Sequence, residues 1–198
     1  MYERLSASAR VEWVVGDVAD PEVPERLVGE TVAAFGRLDV LVNNAGVTVS
    51  KPALELTASD FDEIFSVDVR GAFLAAQAAA RAMGERGGVV VNITSVHEDV
   101  PRPGFALYAP AKAALGMITR SLALELAPSV RVVSVAPGAI ATERNVEADD
   151  LRPEIPLGRA GRPEEVAALV AWLASDEAPY VTGASYLIDG GMAQQVVD

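Results

Sequence analysis

Cysteine and histidine are the scarcest residues of this 198-residue chain, which has no cysteine and one histidine, His97. Without thiols it forms no disulfide and no thiolate metal site, and one imidazole cannot build a histidine cluster. No apolar run reaches the about 18 residues that a membrane span needs, and residues 1–10 lack the apolar core of a secretory signal. We therefore expect no metal centre, no membrane partner and a cytoplasmic location.

Positive charge is also scarce: 16 Lys and Arg face 28 Asp and Glu, and the formal net charge is −12 at pH 7. An acidic chain is a poor partner for nucleic acid or anionic lipid. Lys51 and Lys112 are the only lysines. Because arginine lacks the compact, rotatable ammonium of lysine, a lysine at position 112 is informative in so arginine-rich a chain.

Strand-like and helix-like patterns alternate along the sequence, and hydrophobic content is 51% against 22% charged residues. This alternation is typical of an α/β domain with a parallel sheet, and we predict one doubly wound domain over residues 1–198. A capping box at Ser59 and Asp62 is predicted to open a long helix. The predicted strands are 11–15, 39–42, 88–93, 130–135 and 185–188.

Three residues carry the strongest chemical signal. Tyr108 and Lys112 stand one helical turn apart at the start of an apolar helix, so they share one face. An ammonium there favours the ionised phenol, which makes the tyrosine a better proton acceptor near neutrality. Ser95 follows the buried strand 88–93, at the sheet edge where ligands bind in open parallel sheets. An exposed Tyr–Lys pair without function is the alternative.

Asp68 falls on the apolar stripe of the helix opened near Ser59, between Phe65 and Ala72. A carboxylate on an inward face is unfavourable unless it is paired. Asp68 is therefore predicted either to face Lys112, directly or through water, or to sit at the edge of the stripe in solvent.

Taken together, the motifs resemble the short-chain dehydrogenase/reductase family along essentially the whole chain. The matching pieces stand in family order, and those around His97 and Trp172 look most like bacterial glucose 1-dehydrogenases. They are Asp17-Val18, Asn43-Asn44-Ala45-Gly46, Ser95, Tyr108-x3-Lys112, Pro137-Gly138-x-Ile140-x-Thr142, and Tyr180 through Gly191. The resemblance implies a Rossmann-like fold and an oxidoreductase that uses NAD or NADP on a small alcohol or carbonyl substrate, which could be a sugar.

The resemblance also implies a role for each matching residue. Tyr108 would exchange a proton with the substrate oxygen, Ser95 would hydrogen-bond that oxygen, and Lys112 would support Tyr108 and bind the nicotinamide ribose. Asp68 stands where the family usually has Asn and would take part in the same proton relay. His97 would form a polar wall of the substrate pocket; a solvated loop histidine is the alternative.

The remaining matches would bind the cofactor. Asp17 and Val18 would meet the adenine, and Asn44, Ala45 and Gly46 would line the adenosine ribose. The loop after the fourth predicted strand would hold the nicotinamide carboxamide, through Pro137, Gly138, Ile140 and Thr142.

One departure from the family is large: no three-glycine fingerprint follows a strand anywhere in this sequence. Glycine-rich backbone at a helix N-terminus is what cradles a pyrophosphate. We therefore expect a domain without the first βαβ portion of the family, and weak dinucleotide binding. The residue that reads the ribose 2′ position belongs to that portion, so the choice between NAD and NADP stays open.

Two alternatives to a dehydrogenase remain. The chain could be a short, non-catalytic relative that folds and oligomerises, or it could belong to another Tyr-x3-Lys class such as the nucleotide-sugar epimerases. We also predict a homodimer or homotetramer, because the two long helices carry apolar residues beyond one stripe, including Phe73, Leu74, Met117 and Ile118.

Overall fold

The computed structural model describes residues 9–142 and 148–194. Its sheet has four parallel strands, and their order in space follows their order in the chain. The strands are β1 Val40–Asn43, β2 Gly88–Ile93, β3 Val130–Pro137 and β4 Ser185–Ile188. This arrangement confirms the predicted α/β fold with a parallel, Rossmann-like sheet.

Five α-helices and a π-helical segment accompany the sheet in the described ranges. The α-helices are α1 Val23–Phe35, α2 Ala58–Phe65, α3 Ala72–Met83, α4 Tyr108–Glu125 and α5 Pro163–Ala174. The π-helical segment, Ser66–Gly71, joins α2 to α3. Short 3₁₀ helices are Ala53–Glu55, Gly84–Arg86, Val96–Glu98, Ala148–Glu154 and Met192–Gln194. None of the described helices is long and apolar enough to cross a membrane.

The central strands β2 and β3 are buried on both faces, which explains their valine-rich sequences. Val90 and Val132 pack with α3 and α4 on one face. Val91 and Val133 belong to the cluster on the other face, where α5 packs. The core therefore lies in two layers, one on each side of the sheet.

The long helix begins slightly earlier than the sequence pattern predicted. Thr57 is the N-cap of α2: its side chain accepts a hydrogen bond from the Asp60 backbone N, and the Asp60 carboxylate accepts one from the Thr57 backbone N. The capping box predicted at Ser59 and Asp62 was therefore wrong in position, although its chemistry is the same.

Residues 11–15 form no strand, so the prediction of a first strand there was wrong. Within the described ranges β1 pairs only with β2, and no strand lies beside residues 11–15. A strand needs a neighbour to satisfy its backbone groups, and Val15 is accordingly 87% exposed.

Candidate active site

The carboxyl ends of β1, β2 and β3 meet at one edge of the sheet. Asn43 lies opposite Asn92, and Ile93 lies opposite Val135. The segments that follow these strands therefore converge, as they do in open parallel sheets that bind ligands. This edge is reached by the segment Asn44-Ala45-Gly46 after β1, by Ser95 after β2 and by Pro137 at the end of β3.

Ser95 is positioned by the short 3₁₀ helix that follows β2. The side chain is buried, with 6% exposure, and its Oγ accepts a hydrogen bond from the His97 backbone N at 3.2 Å. A hydroxyl that accepts one hydrogen bond keeps its own proton to donate. Ser95 can therefore donate to a ligand oxygen.

Tyr108 and Lys112 lie on the first turns of α4, as their spacing predicts. The Lys112 Nζ is 5.6 Å from the centre of the Tyr108 ring and donates a hydrogen bond to the Ile93 carbonyl at 3.1 Å. Lys112 is 5% exposed, whereas Tyr108 is half-buried. The ammonium is thus fixed at the end of β2, next to the phenol ring.

Asp68 is fully buried and pairs directly with the lysine. Its Oδ2 lies 3.0 Å from the Lys112 Nζ, and its Oδ1 accepts a hydrogen bond from the Val47 backbone N at 2.8 Å. The inward interpretation of Asp68 is confirmed, and the solvated alternative was wrong. Asp68 Oδ2 accepts no hydrogen bond from the described residues, so its contact with Lys112 is an ion pair, and the Ile93 carbonyl takes one N–H of the ammonium.

Asp68 lies within the π-helical segment Ser66–Gly71. A π turn accommodates an extra residue and redirects the neighbouring side chains, often at functional sites. Gly71 permits this packing, because a Cβ there would lie 2.5 Å from the Val18 carbonyl oxygen. Gly46 approaches from the other side, where a Cβ would lie 3.3 Å from both Asp68 Oδ2 and Lys112 Nζ.

The predicted adenosine contacts lie in two segments near the end of β1. Asn44, Ala45 and Gly46 follow β1 directly and are exposed. Asp17 is exposed, and its Oδ1 accepts a hydrogen bond from the Ala19 backbone N at 2.9 Å. Val18 rests on Gly71 of the π-helical segment. The structure thus brings both segments to the helix that carries Asp68.

The predicted carboxamide loop follows β3. Gly138 donates its backbone N–H to the Ile188 carbonyl, and a Cβ at Gly138 would lie 2.7 Å from the Asp189 Cβ. Ile140 forms an isolated parallel bridge with Gly161, while Thr142 is exposed. The loop is therefore held between β4 and the segment that precedes α5.

His97 packs against two aromatic rings beside Ser95. Its ring centre is 4.9 Å from that of Phe105 and 6.3 Å from that of Tyr108. Burial lowers the pKa of His97 below its ordinary value of 6.5, since a half-buried imidazolium loses hydration. The imidazole therefore lies next to Tyr108, the predicted proton-transfer residue. The alternative, a solvated loop histidine, does not account for this packing.

A polar chain beneath the site was not predicted. Asn43 Nδ2 donates to Asn92 Oδ1 at 2.9 Å, and Asn92 Nδ2 donates to Thr119 Oγ1 at 2.9 Å. These hydrogen bonds connect β1 and β2 to α4. Asn92 stands one residue before Ile93, whose carbonyl accepts the Lys112 hydrogen bond. The signal available in the sequence was Asn92 itself, a polar residue within a strand of valines.

Comparison with known proteins places these features among oxidoreductases. A family model described as enoyl-(acyl carrier protein) reductase matches residues 1–193. The chain is 44% identical to the uncharacterized oxidoreductase YohF of Escherichia coli (strain K12), covering 96% of this chain and 78% of the relative. It is 42% identical to glucose 1-dehydrogenase 2 of Bacillus subtilis (strain 168), covering 90% and 73%.

Solved structures give the same result. A short-chain dehydrogenase/reductase from Serratia marcescens BCRC 10948 superposes with a TM-score of 0.90 at 41% identity, over 95% of this chain and 79% of that chain. Acetoin dehydrogenase from Enterobacter cloacae superposes with a TM-score of 0.87 at 46% identity, over 96% and 77%. ElxO, solved with NADP bound, superposes with a TM-score of 0.88 at 30% identity, over 93% and 79%.

Proposed function

Because the chain belongs to the short-chain dehydrogenase/reductase family of NAD(P)-dependent oxidoreductases, we propose that it interconverts a small secondary alcohol and its carbonyl compound. One observation carries the proposal. The Lys112 ammonium, anchored by Ile93 and Asp68, lies 5.6 Å from the centre of the Tyr108 ring, and Ser95 accepts a hydrogen bond from His97, whose ring packs beside that of Tyr108.

Tyr108 is the proposed acid–base residue. In alcohol oxidation its ionised phenol takes the hydroxyl proton, and in carbonyl reduction its phenol returns that proton to the oxygen. Ser95 donates its hydroxyl proton to the same substrate oxygen and orients it. Lys112 places its positive charge next to the phenol ring, and Asp68 holds Lys112 in place.

The residues near Lys112 fit a nicotinamide cofactor. The ammonium donates one N–H to the Ile93 carbonyl and keeps others for a ribose hydroxyl, and Gly46 leaves room for close approach beside it. When bound, the nicotinamide supplies the hydride acceptor or donor of the reaction. Asn44 and Ala45, the Asp17-Val18 turn and the loop from Pro137 to Thr142 would hold the rest of an NAD or NADP molecule.

The substrate class rests on the relatives together with the site. Their names include a glucose 1-dehydrogenase and an acetoin dehydrogenase, both acting on small oxygenated molecules. His97, Phe105 and Tyr108 form a mixed polar and aromatic wall beside Ser95, which suits such a molecule. We propose a small alcohol or sugar as the substrate.

The other two interpretations have less support. The matched relatives are named oxidoreductases and dehydrogenases, which does not favour a non-catalytic chain. The family match extends over nearly the whole chain as well, which leaves the epimerase interpretation without a supporting observation.

A homo-oligomer remains part of the proposal. A groove of about 460 Å³ runs between α3 and α4, lined by Phe73, Ile118 and Leu122 among others. Met117 is 56% exposed on the neighbouring turn. Apolar helix faces of this kind are typical of subunit contacts, and they support the predicted dimer or tetramer.

Substitution of the proposed acid–base residue tests the function. The purified chain is assayed with NAD and with NADP on 2,3-butanediol, 2-butanol and glucose. Tyr108→Phe should reduce kcat at least about a hundredfold, because acid–base catalysis contributes about 10²–10⁴. The matched control, Tyr180→Phe, removes the hydroxyl of a fully exposed tyrosine and should leave kcat unchanged. Equal loss in both variants, or none in Tyr108→Phe, would refute the assignment.

A further inference from the structure

Lys51 lies in the loop that follows β1, and its side chain and backbone bind two different parts of the fold. The Lys51 Nζ donates a hydrogen bond to Asp60 Oδ1 at 2.6 Å, in the first turn of α2. The Lys51 backbone N donates to the Gly104 carbonyl at 3.1 Å. One residue therefore connects the start of α2 to the turn that precedes α4.

The Asp60 end of this connection is held through both carboxylate oxygens. Oδ2 accepts hydrogen bonds from the Thr57 backbone N at 2.8 Å and from Thr57 Oγ1 at 2.7 Å, and Asp60 is 7% exposed. The hydrogen bond from Lys51, together with those from Thr57, lowers the pKa of the Asp60 carboxyl to about 2. The carboxylate is therefore ionised near neutral pH, and it offers Lys51 a charged partner in a fixed orientation.

The Gly104 end packs tightly against the same loop. Gly104 has a φ of +86°, a backbone conformation that favours glycine. A Cβ at this position would lie 3.0 Å from Ser50 Oγ, on the residue before Lys51. The loop after β1 and the turn at Gly104 are therefore in close contact, and a shift of one displaces the other.

Phe105 follows Gly104 and belongs to the aromatic wall of the site. Its carbonyl accepts a hydrogen bond from the Ala109 backbone N at 3.0 Å, in the first turn of α4. Its ring centre lies 5.4 Å from that of Tyr108 and 4.9 Å from that of His97. The position of the Gly104 turn therefore affects the position of the Phe105 ring beside the proposed acid–base residue.

We propose that Lys51 is a positioning residue for the substrate wall. Its ion pair with Asp60 fixes the loop after β1, this loop fixes the turn at Gly104, and the turn fixes the ring of Phe105. The proposal rests on the proposed function, because the wall contacts a substrate only if Tyr108 marks the reacting oxygen. A partly exposed ion pair contributes little to global stability, so its loss should be felt at the wall rather than in folding.

Kinetic constants separate this role from a merely structural one. Lys51→Met removes the ammonium and keeps the backbone N–H. We expect it to raise the KM for the alcohol about fivefold, the effect of one charged hydrogen bond at a partly exposed site, with little change in kcat or in the KM for the cofactor. The alcohol is whichever of 2,3-butanediol, 2-butanol and glucose reacts fastest.

Two variants serve as controls for these constants. Lys51→Arg keeps the ion pair and should keep the wild-type KM. Arg37→Met removes an exposed ion pair with Asp39 and should leave all three constants unchanged. An unchanged alcohol KM in Lys51→Met, or an equal rise in the KM for the cofactor, would overturn the proposal.

Nuclear magnetic resonance gives a test that needs no turnover. Because His97 is the only histidine of the chain, ¹³C,¹⁵N-histidine labelling yields a single set of imidazole signals, and the ring current of Phe105 acts on them from 4.9 Å. Phe105→Leu removes that ring and defines the direction of the shift. Lys51→Met should move the His97 signals in the same direction, whereas Lys51→Arg and Arg37→Met should leave them in place.

His97 signals that stay in place in Lys51→Met would refute the positioning role. Failure of all three alcohols to react would refute the proposed function alone, since the spectrum still decides whether Lys51 positions Phe105.

Discussion

Neutralising the buried pair of Asp68 and Lys112 one residue at a time should destabilise the protein strongly. The two charged atoms lie 3.0 Å apart, and the side chains are 0% and 6% exposed. Removing one partner of a buried ion pair costs about 3–5 kcal/mol, because the other charge stays buried and uncompensated. We expect Asp68→Asn near the lower value, since the amide oxygen can still accept from Val47, and Lys112→Met near the middle.

The double variant should cost less than the sum of the two single variants. Asp68→Asn combined with Lys112→Met leaves no buried charge, and neutral replacements of buried pairs are often tolerated. The coupling free energy from the double-mutant cycle should therefore be about 2–3 kcal/mol. Urea unfolding followed by circular dichroism measures each variant, and equal m-values would show that the compactness of the unfolded state is unchanged.

Lys51 and Asp60 provide a matched control pair. Their charged atoms lie 2.6 Å apart, but the Lys51 side chain is 43% exposed and that of Asp60 is 10% exposed. The same cycle, Lys51→Met with Asp60→Asn, should show a clearly smaller coupling, and 1 M NaCl should weaken it further by screening. A coupling for Asp68 and Lys112 no larger than that of the control, or equally sensitive to salt, would refute the reasoning.

Three further outcomes follow from the site and the helix faces. Fluorescence titration should show weak binding of NADH and NADPH, because no glycine fingerprint follows a strand in this sequence; submicromolar affinity for either would contradict this. Light scattering at micromolar concentration should detect dimers or tetramers that Phe73→Glu or Met117→Glu dissociates, and a well-folded monomer would refute the apolar-face argument. The pKa of His97 should lie below 6.5, so the unfolded chain binds the proton more tightly than the folded one. The contribution of His97 to stability is therefore present above pH 6.5 and is lost as the pH falls. His97→Phe should remove that part of the pH dependence of the urea midpoint.

Local sequence patterns determined the fold class and the residues at the strand ends. The valine-rich run of β2 and the helical pattern after Tyr108 depend on residues close together in the chain, so their type and order could be predicted. In parallel α/β folds the segments after the strands meet at one edge, and the convergence of Ser95, Tyr108 and Lys112 therefore followed from chain order. The single domain over residues 1–198, lacking a first βαβ portion, stays a prediction.

Only the tertiary structure decided which partners the polar groups take. The apolar stripe predicted that Asp68 could face Lys112, but only the structure decided that the contact is direct, with 3.0 Å between Oδ2 and Nζ. Residues 11–15 have a strand-like pattern but no neighbouring strand in the described ranges. Periodicity indicates which face of a segment is apolar. A hydrogen bond forms only when a second segment is placed to within a fraction of an ångström, and packing between distant parts of the chain sets that placement.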